Sequence, residues 1–381
     1  MTVATGFPPK GGSQPDRPES GHAAHAAPAY GALDLGTNNC RLLIAVPDTE
    51  SAEGAARSSS GRPIFRVIDA FSRIVRLGEG LSQTGTLAEP AMARTIAALR
   101  VCASKLRRHR VAAARLVATE ACRRAANCEQ FLARVQNETG LVIETISCED
   151  EARLALAGCA PLLVSGHPHA LVFDIGGGST ELSWLEVGPD AQPGRIDVTS
   201  IPLGVVTLGE RYGGDHVSAD TYARMVDEVS ASLLPFERAH CIRALCLDDK
   251  VQMLGTSGTV TTLAGIHLDL ARYDRSVVDG SYLSFDAVSR ITQRLAALDY
   301  ERRAQHPCIG RDRADLVLAG CAILEAICRQ WPIGRLRVAD RGIREGILCG
   351  LMRRDGVGRR TPGAVQGAVA IAERALSEPA H

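Results

Sequence analysis

Apolar and polar positions along the 381-residue chain fall into short runs of two periods, and their order predicts the architecture. Residues 32–46 read as a strand, a tight turn and a returning strand. The apolar run Leu171-Val172-Phe173 ends in Asp174-Ile175-Gly176-Gly177-Gly178-Ser179-Thr180-Glu181 before a second returning strand. Residues 64–70 alternate as another strand. Near Pro90 the period changes: Met92, Ile96, Leu99, Ala103 and Leu106 form one helical stripe, whose basic end (residues 105–110) suits the negative pole of a helix dipole. Residues 115–118 then make a strand that delivers Thr119-Glu120 to its carboxyl end. Asn127 with Gln130 predicts a capped helix ended by Gly140, residues 141–146 a strand, and Ser147 with Asp150 the capped start of a helix that crosses between domains.

The second half repeats the plan. Helical stripes run through Met225/Val229/Leu233, Val288/Ile291/Leu295 and Leu316/Ile323/Ile327. Residues 251–254 form a strand feeding Gly255-Thr256-Ser257-Gly258-Thr259, and a strand at 335–339 and a helix at 342–352 close the fold. The two hairpin aspartates, Asp34 and Asp174, stand one domain length apart, so the simplest account is a duplicated fold with two hairpins facing one cleft. The expected organisation is a disordered tail at 1–29, a first domain at 30–160 and a second at 161–352 whose last helix packs back on the first. A surface loop lies at 48–61, and an appendage with one short Ala-rich helix at 353–381.

Composition narrows the class. A hydrophobic content of 45% lets the chain bury two cores. Lys+Arg and Asp+Glu both count 43, so no nucleic-acid or anionic-membrane partner is expected. No apolar stretch reaches the ~18 residues of a membrane helix. The twelve cysteines show no C-x-x-C spacing, which argues against zinc and fits a reducing cytoplasm. A homodimer is admitted, the sequence being silent on oligomeric state.

The candidate chemistry is phosphate chemistry. An aspartate at a strand end, followed by bare glycine amides and hydroxyls, is the arrangement that holds a phosphate and its metal ion. Three strand–glycine–hydroxyl loops occur, two of them led by an aspartate, with neither a G-x-x-x-x-G-K-[ST] loop nor a G-x-G-x-x-G fingerprint. Glu120, at a strand end beside that cleft, stands where a general base must sit.

The arrangement is that of the actin/hexokinase/chaperone ATPase (ASKHA) fold, two duplicated ribonuclease-H-like α/β domains around a cleft. Within it the chain closely resembles the exopolyphosphatase/guanosine-pentaphosphatase (Ppx/GppA) family. The resemblance rests on Asp34-Leu35-Gly36-Thr37-Asn38, Arg76-Leu77-Gly78-Glu79-Gly80-Leu81, Ala118-Thr119-Glu120-Ala121-Cys122-Arg123, Glu149-Asp150-Glu151-Ala152-Arg153, the run 174–181, Pro202-Leu203-Gly204, the loop 255–259 and Arg341-Gly342-Ile343-Arg344-Glu345-Gly346. It implies an exopolyphosphatase that removes terminal orthophosphate from inorganic polyphosphate, with Glu120 activating the water. Asp174 and Glu151, with Asp34 close by, would hold Mg²⁺ or Mn²⁺. Thr37, Asn38, Asn39, Gly176, Gly177, Gly178, Ser179 and Thr180 would bind the chain end, and Arg41, Arg76, Arg123 and Arg313 the rest of the polyanion. The rivals are hydrolysis of guanosine pentaphosphate at the same site, an ATP-dependent kinase of the same fold and a non-catalytic sensor.

Two departures stand out. Asn39 replaces a customary serine in the first loop, and Asp279 stands where a histidine is common, putting a negative charge near the expected groove. The chain lacks the paired His-Asp of longer members and reads as a short form without their C-terminal HD domain.

Overall fold

Two mixed sheets, one per half of the chain, carry this computed structural model, which describes residues 27–48 and 65–356. The first contains β1 (Tyr30–Leu35), β2 (Asn39–Pro47), β3 (Phe65–Ile74), β4 (Ala113–Ala118) and β5 (Glu144–Thr145), in the order β3-β2-β1-β4-β5. The second contains β6 (His169–Ile175), β7 (Thr180–Val187), β8 (Pro193–Ile201), β9 (Val251–Thr256), β10 (Tyr282–Ser284) and β11 (Arg335–Ala339), in the order β10-β11-β9-β6-β7-β8. In each, an antiparallel meander (β1-β2-β3; β6-β7-β8) is followed by strands parallel to the first (β4 and β5; β9 and β11). The shared order marks two ribonuclease-H-like lobes.

The helices are α1 (Glu89–Arg108), α2 (Glu120–Arg124), α3 (Cys128–Thr139), α4 (Cys148–Cys159), α5 (Val205–Tyr212), α6 (Ala219–His240), α7 (Gly258–His267), α8 (Phe285–Ala296), α9 (Val317–Gln330) and α10 (Ile343–Arg354), joined by shorter turns. Helices on both faces of each sheet leave central strands such as β1 and β6 buried, which is why these read as nearly continuous apolar runs. The parallel registers Leu35↔Ala118 and Asp174↔Thr256 bring four strand ends level. The loops leaving β1, β4, β6 and β9 therefore share one cleft at the carboxyl edges, where open α/β sheets bind ligands.

The lobes join where α4 crosses α10. Leu154 and Ala155 pack with Tyr30, Ala32 and Leu43 of the first sheet, while Leu156, Ala157 and Cys159 pack with Ala170, Val172 and Leu254 of the second. Glycine makes the crossing possible: a Cβ on Gly158 would lie 2.2 Å from Gly342 O, and one on Gly346 2.1 Å from Leu154 O. Ile347, Leu348, Leu351 and Met352 of α10 seat on the first lobe.

Several local expectations shift. The strand expected at 141–146 is paired only over Glu144–Thr145, because it is the sheet edge beside β4. β3 runs to Ile74, beyond the expected 70, since it pairs with β2 along its whole length. Asn127 does not cap α3 with its side chain; its amide instead pairs with Leu87 N–H (2.8 Å) and Leu87 O (3.0 Å). Ser147 does cap α4, accepting from Asp150 N–H at 3.0 Å. The negative charge of Asp279 is neutralised by Arg341 Nε at 2.7 Å, so it does not bear on the groove as expected. The expected tail up to residue 26, the surface loop (all but its first residue, 48) and the Ala-rich C-terminal helix lie outside the described residues.

Candidate active site

The two hairpins close in the same way: Gly36 N–H donates to Asn39 O and Gly176 N–H to Ser179 O, each at 2.9 Å. They meet across the cleft. A Cβ on Gly177 would lie 2.9 Å from Thr37 Cβ and 3.2 Å from Asn38 N, so only glycine permits this approach. Val205 N–H binds Gly176 O (3.0 Å) and Val206 N–H binds Gly177 O (2.7 Å), which turns two peptide carbonyls toward the start of α5. Among the described residues, the N–H groups of Gly177 and Gly178 have no protein acceptor. A donor pair of this kind suits an anion.

Glu120 projects from the start of α2 and is only 6% exposed. Its Oε2 accepts from Thr37 Oγ1 (3.0 Å), its Oε1 from Arg124 Nη1 (2.9 Å), and the carboxylate rests on Gly178, whose Cβ would lie 1.8 Å from Oε2. Both oxygens are thus engaged. Glu151, in the first turn of α4, binds Arg123 Nη1 through Oε2 (2.7 Å) and lines the same cleft. Burial, then repulsion by Glu181, raises its pKa well above the usual glutamate value against the pull of Arg123.

Asp174 and Glu181 are paired across β6 and β7. Burial and the Glu181 charge push Asp174 up to about 7, although Arg41 acts in the opposite sense. Burial likewise raises Asp34, against Arg41 and Arg344, and raises Glu181, whose Oε1 accepts from Ser179 Oγ (2.5 Å) and Ser200 Oγ (2.9 Å). Buried carboxylates that repel one another form a donor set suited to a hard divalent cation. Among the described residues no three His, Cys, Asp or Glu side chains form a metal cage. Mg²⁺ needs only one or two carboxylates and keeps its waters, so the residues present fit it.

Opposite these acids, Arg41 reaches from β2 toward α7, its Nη2 3.9 Å from the Cβ position of Gly258. Among the described residues, the Arg313 guanidinium binds the Thr262 hydroxyl alone, at a long 3.5 Å. Burial, and then the Arg41 charge, lower its pKa. Two like charges that face one cleft call for an anion between them.

Of the expected residues, Asp34, Thr37, Asn38, Asn39, Arg41, Glu120, Glu151, Asp174, Gly176, Gly177, Gly178, Ser179 and Arg313 all line this cleft. Thr180 does not: it is wholly buried and its hydroxyl donates to Leu203 O at 2.7 Å, because strand alternation turns it away. Arg76 is paired with Asp315 between the lobes (3.0 Å), and Arg123 lies behind the cleft holding Glu151 and Ile146 O (3.1 Å). Glu181 and Arg124 were given no role by the sequence. Glu181 stands inside the conspicuous glycine run, and Arg124 four residues after Glu120, the spacing of a helical ion pair; both signals were available.

Two lobes of this topology, with a phosphate-type hairpin from each at the cleft, define the ASKHA class. The profile of the Ppx/GppA phosphatase family matches residues 55–355. Exopolyphosphatase 2 of Mycobacterium tuberculosis is 31% identical over 331 residues, 84% of this chain and 97% of that protein. The crystal structure of the Aquifex aeolicus Ppx/GppA member superposes with a TM-score of 0.67 at 28% identity, covering 87% of this chain and 99% of that one. An exopolyphosphatase from Cytophaga hutchinsonii shares the fold with a TM-score of 0.72 at 24% identity, covering 86% and 98%. The chain belongs to the Ppx/GppA phosphatase family and is a hydrolase of phosphoanhydride bonds.

Proposed function

We propose that this protein is an exopolyphosphatase, removing the terminal orthophosphate of inorganic polyphosphate. The observation that carries the reading is the apposition of the two hairpins, with free amides at Gly177 and Gly178 and the Arg41–Arg313 pair beyond them in the same cleft. The terminal phosphate binds the amides and the Thr37–Asn38 turn, and the guanidiniums fork the following phosphates.

A general base needs an oxygen lone pair facing the water. Glu120, the expected base, lines the cleft, and each of its oxygens accepts one bond, from Thr37 or Arg124, and keeps a second lone pair. Glu151, held through Oε2 by Arg123, lines the same cleft and is read as a metal ligand. The base role is therefore given to Glu120, whose bonds to Thr37 and Arg124 fix the carboxylate against Gly178. Water oxygen bonds to the terminal phosphorus, its proton passes to Glu120, and the bridging P–O bond breaks. The shortened chain leaves as a stabilised phosphate anion, so no separate acid is required.

Asp174 and Glu151, with Asp34 from the other hairpin, would hold Mg²⁺. When bound, the ion neutralises charge on the reacting phosphates.

The test is phosphate release from long-chain polyphosphate and from guanosine pentaphosphate, with and without Mg²⁺. Glu120→Gln is expected to lose about 10²–10⁴-fold in kcat with binding largely kept, in the presence of saturating Mg²⁺. Near wild-type turnover in that variant takes the base role from Glu120. Release from guanosine pentaphosphate alone replaces the substrate, and transfer to an acceptor in place of release identifies a kinase.

A further inference from the structure

A clasp on the cleft rim, remote from the α4–α10 crossing, is made by residues outside the catalytic apparatus. Arg76 forks the Asp315 carboxylate, with Nη1 3.0 Å from Oδ2 and Nη2 3.1 Å from Oδ1, and Nη2 also reaches Asp312 O at 3.4 Å. A few residues on, Glu210 accepts from Gly80 N–H (2.8 Å) and Ser82 Oγ (2.5 Å). The segment 76–82 of the first lobe is thus held to the second at two points.

Each side of the clasp is built onto one phosphate hairpin. On the first lobe, Val75 N–H and Arg76 N–H both donate to Asn38 O (2.8 and 3.0 Å), and Gly78 N–H donates to Thr37 O (2.9 Å). Gly78 packs so closely that a Cβ would lie 2.3 Å from Thr37 Cγ2. Arg76 itself holds a left-handed backbone, φ 47°, a conformation that a non-glycine residue keeps only where its surroundings impose it. On the second lobe, Glu210 stands on α5, whose first N–H groups bind Gly176 O and Gly177 O.

Asp315 is tied to the same platform. The buried guanidinium of Arg303 donates to Gly214 O (3.0 Å) and Asp215 O (2.8 Å), just beyond α5, and to Ala314 O (3.1 Å), next to Asp315. Gly214 admits no side chain here, because its Cβ would lie 2.0 Å from Asp315 O. The clasp therefore runs unbroken from Thr37–Asn38 through segment 76–82, Asp315 and Glu210 to Gly176–Gly177.

We propose that Glu210 and Asp315 are positioning residues, which set the spacing of the two phosphate hairpins through segment 76–82 without touching substrate. The inference rests on the hydrolase reading for its kinetic part only. Closing the rim brings Gly177 against Thr37, and a rim held less firmly lets the hairpins separate, at a cost that falls on the reacting geometry.

The experiment combines kinetics with hydrogen exchange on the full chain. Glu210→Ala and Asp315→Ala are expected to lower kcat for tripolyphosphate by about tenfold or more with KM altered less than about threefold and the melting transition kept. Both are expected to speed amide exchange in 36–39 and 205–209 with no substrate present. Glu210→Gln, which retains an acceptor oxygen, and the reversed pair Arg76→Asp with Asp315→Arg recover most of the rate. Unchanged exchange in both segments, or kcat within twofold of wild type in both alanine variants, overturns the proposal. The exchange arm needs no turnover, so an error in the substrate assignment leaves it readable.

Discussion

Gly178→Ala tests the geometry of the cleft most directly. The added Cβ would lie 1.8 Å from Glu120 Oε2, 2.5 Å from Cδ and 3.0 Å from Oε1. Ordinary contact begins at about 3.4 Å, so the carboxylate must retreat by roughly 1.5 Å. That movement breaks the bond from Thr37, a charge-assisted hydrogen bond worth about 1.5–3 kcal/mol, and frees the Thr37 side of the first hairpin. A displacement of about 1 Å at a reacting centre costs on the order of 10²-fold in rate. We expect kcat for phosphate release to fall by at least that factor, with a melting transition lowered by a few degrees. The decisive assay is the double-mutant cycle with Glu120→Ala. If the methyl group acts by striking Glu120, it costs almost nothing once that side chain is truncated, and the coupling energy equals nearly the whole single-variant loss. An equal penalty in both backgrounds would refute the reasoning, since the methyl group would then be occupying the phosphate's own space.

Three further outcomes follow from other parts of the molecule. Gly346→Ala, which places Cβ 2.1 Å from the backbone oxygen of Leu154, should destabilise the α4–α10 crossing by about 1–3 kcal/mol, read as a lower urea midpoint; an unchanged midpoint contradicts the packing described. Asp69 has its pKa lowered to about 2, chiefly by the hydrogen bond from Lys105. Its contribution, about 1 kcal/mol after solvent screening, is present above the usual carboxylate pKa and lost as pH falls toward 2. The stability gap between wild type and Asp69→Asn should close over that interval, and a constant gap would exclude the linkage. Mg²⁺ at 100 times its dissociation constant should stabilise the fold by about 2.7 kcal/mol, and Asp174→Asn should abolish that thermal shift.

Much of this protein was determined by the sequence alone. The buried strands β1 and β6, the glycine turns after Asp34 and Asp174, and the duplication follow from apolar runs, glycine placement and spacing, which act locally. Ser147 at the start of α4 is a cap legible from four residues, and the strand Arg335–Ala339 from five. Tertiary structure decided what depends on partners distant in the chain. Asn127 was drawn from its helix end by Leu87, 40 residues earlier, and Arg76 from the phosphate groove by Asp315. Thr180 sits beside Ser179 in sequence, yet strand alternation sends its hydroxyl to Leu203. The carboxylate of Glu120 is fixed by Thr37, 83 residues earlier, and by Arg124, and Glu151 by Arg123. A sequence names the carboxylates that reach a cleft; hydrogen bonding, which exists only once the lobes are packed, decides how each of them is held there.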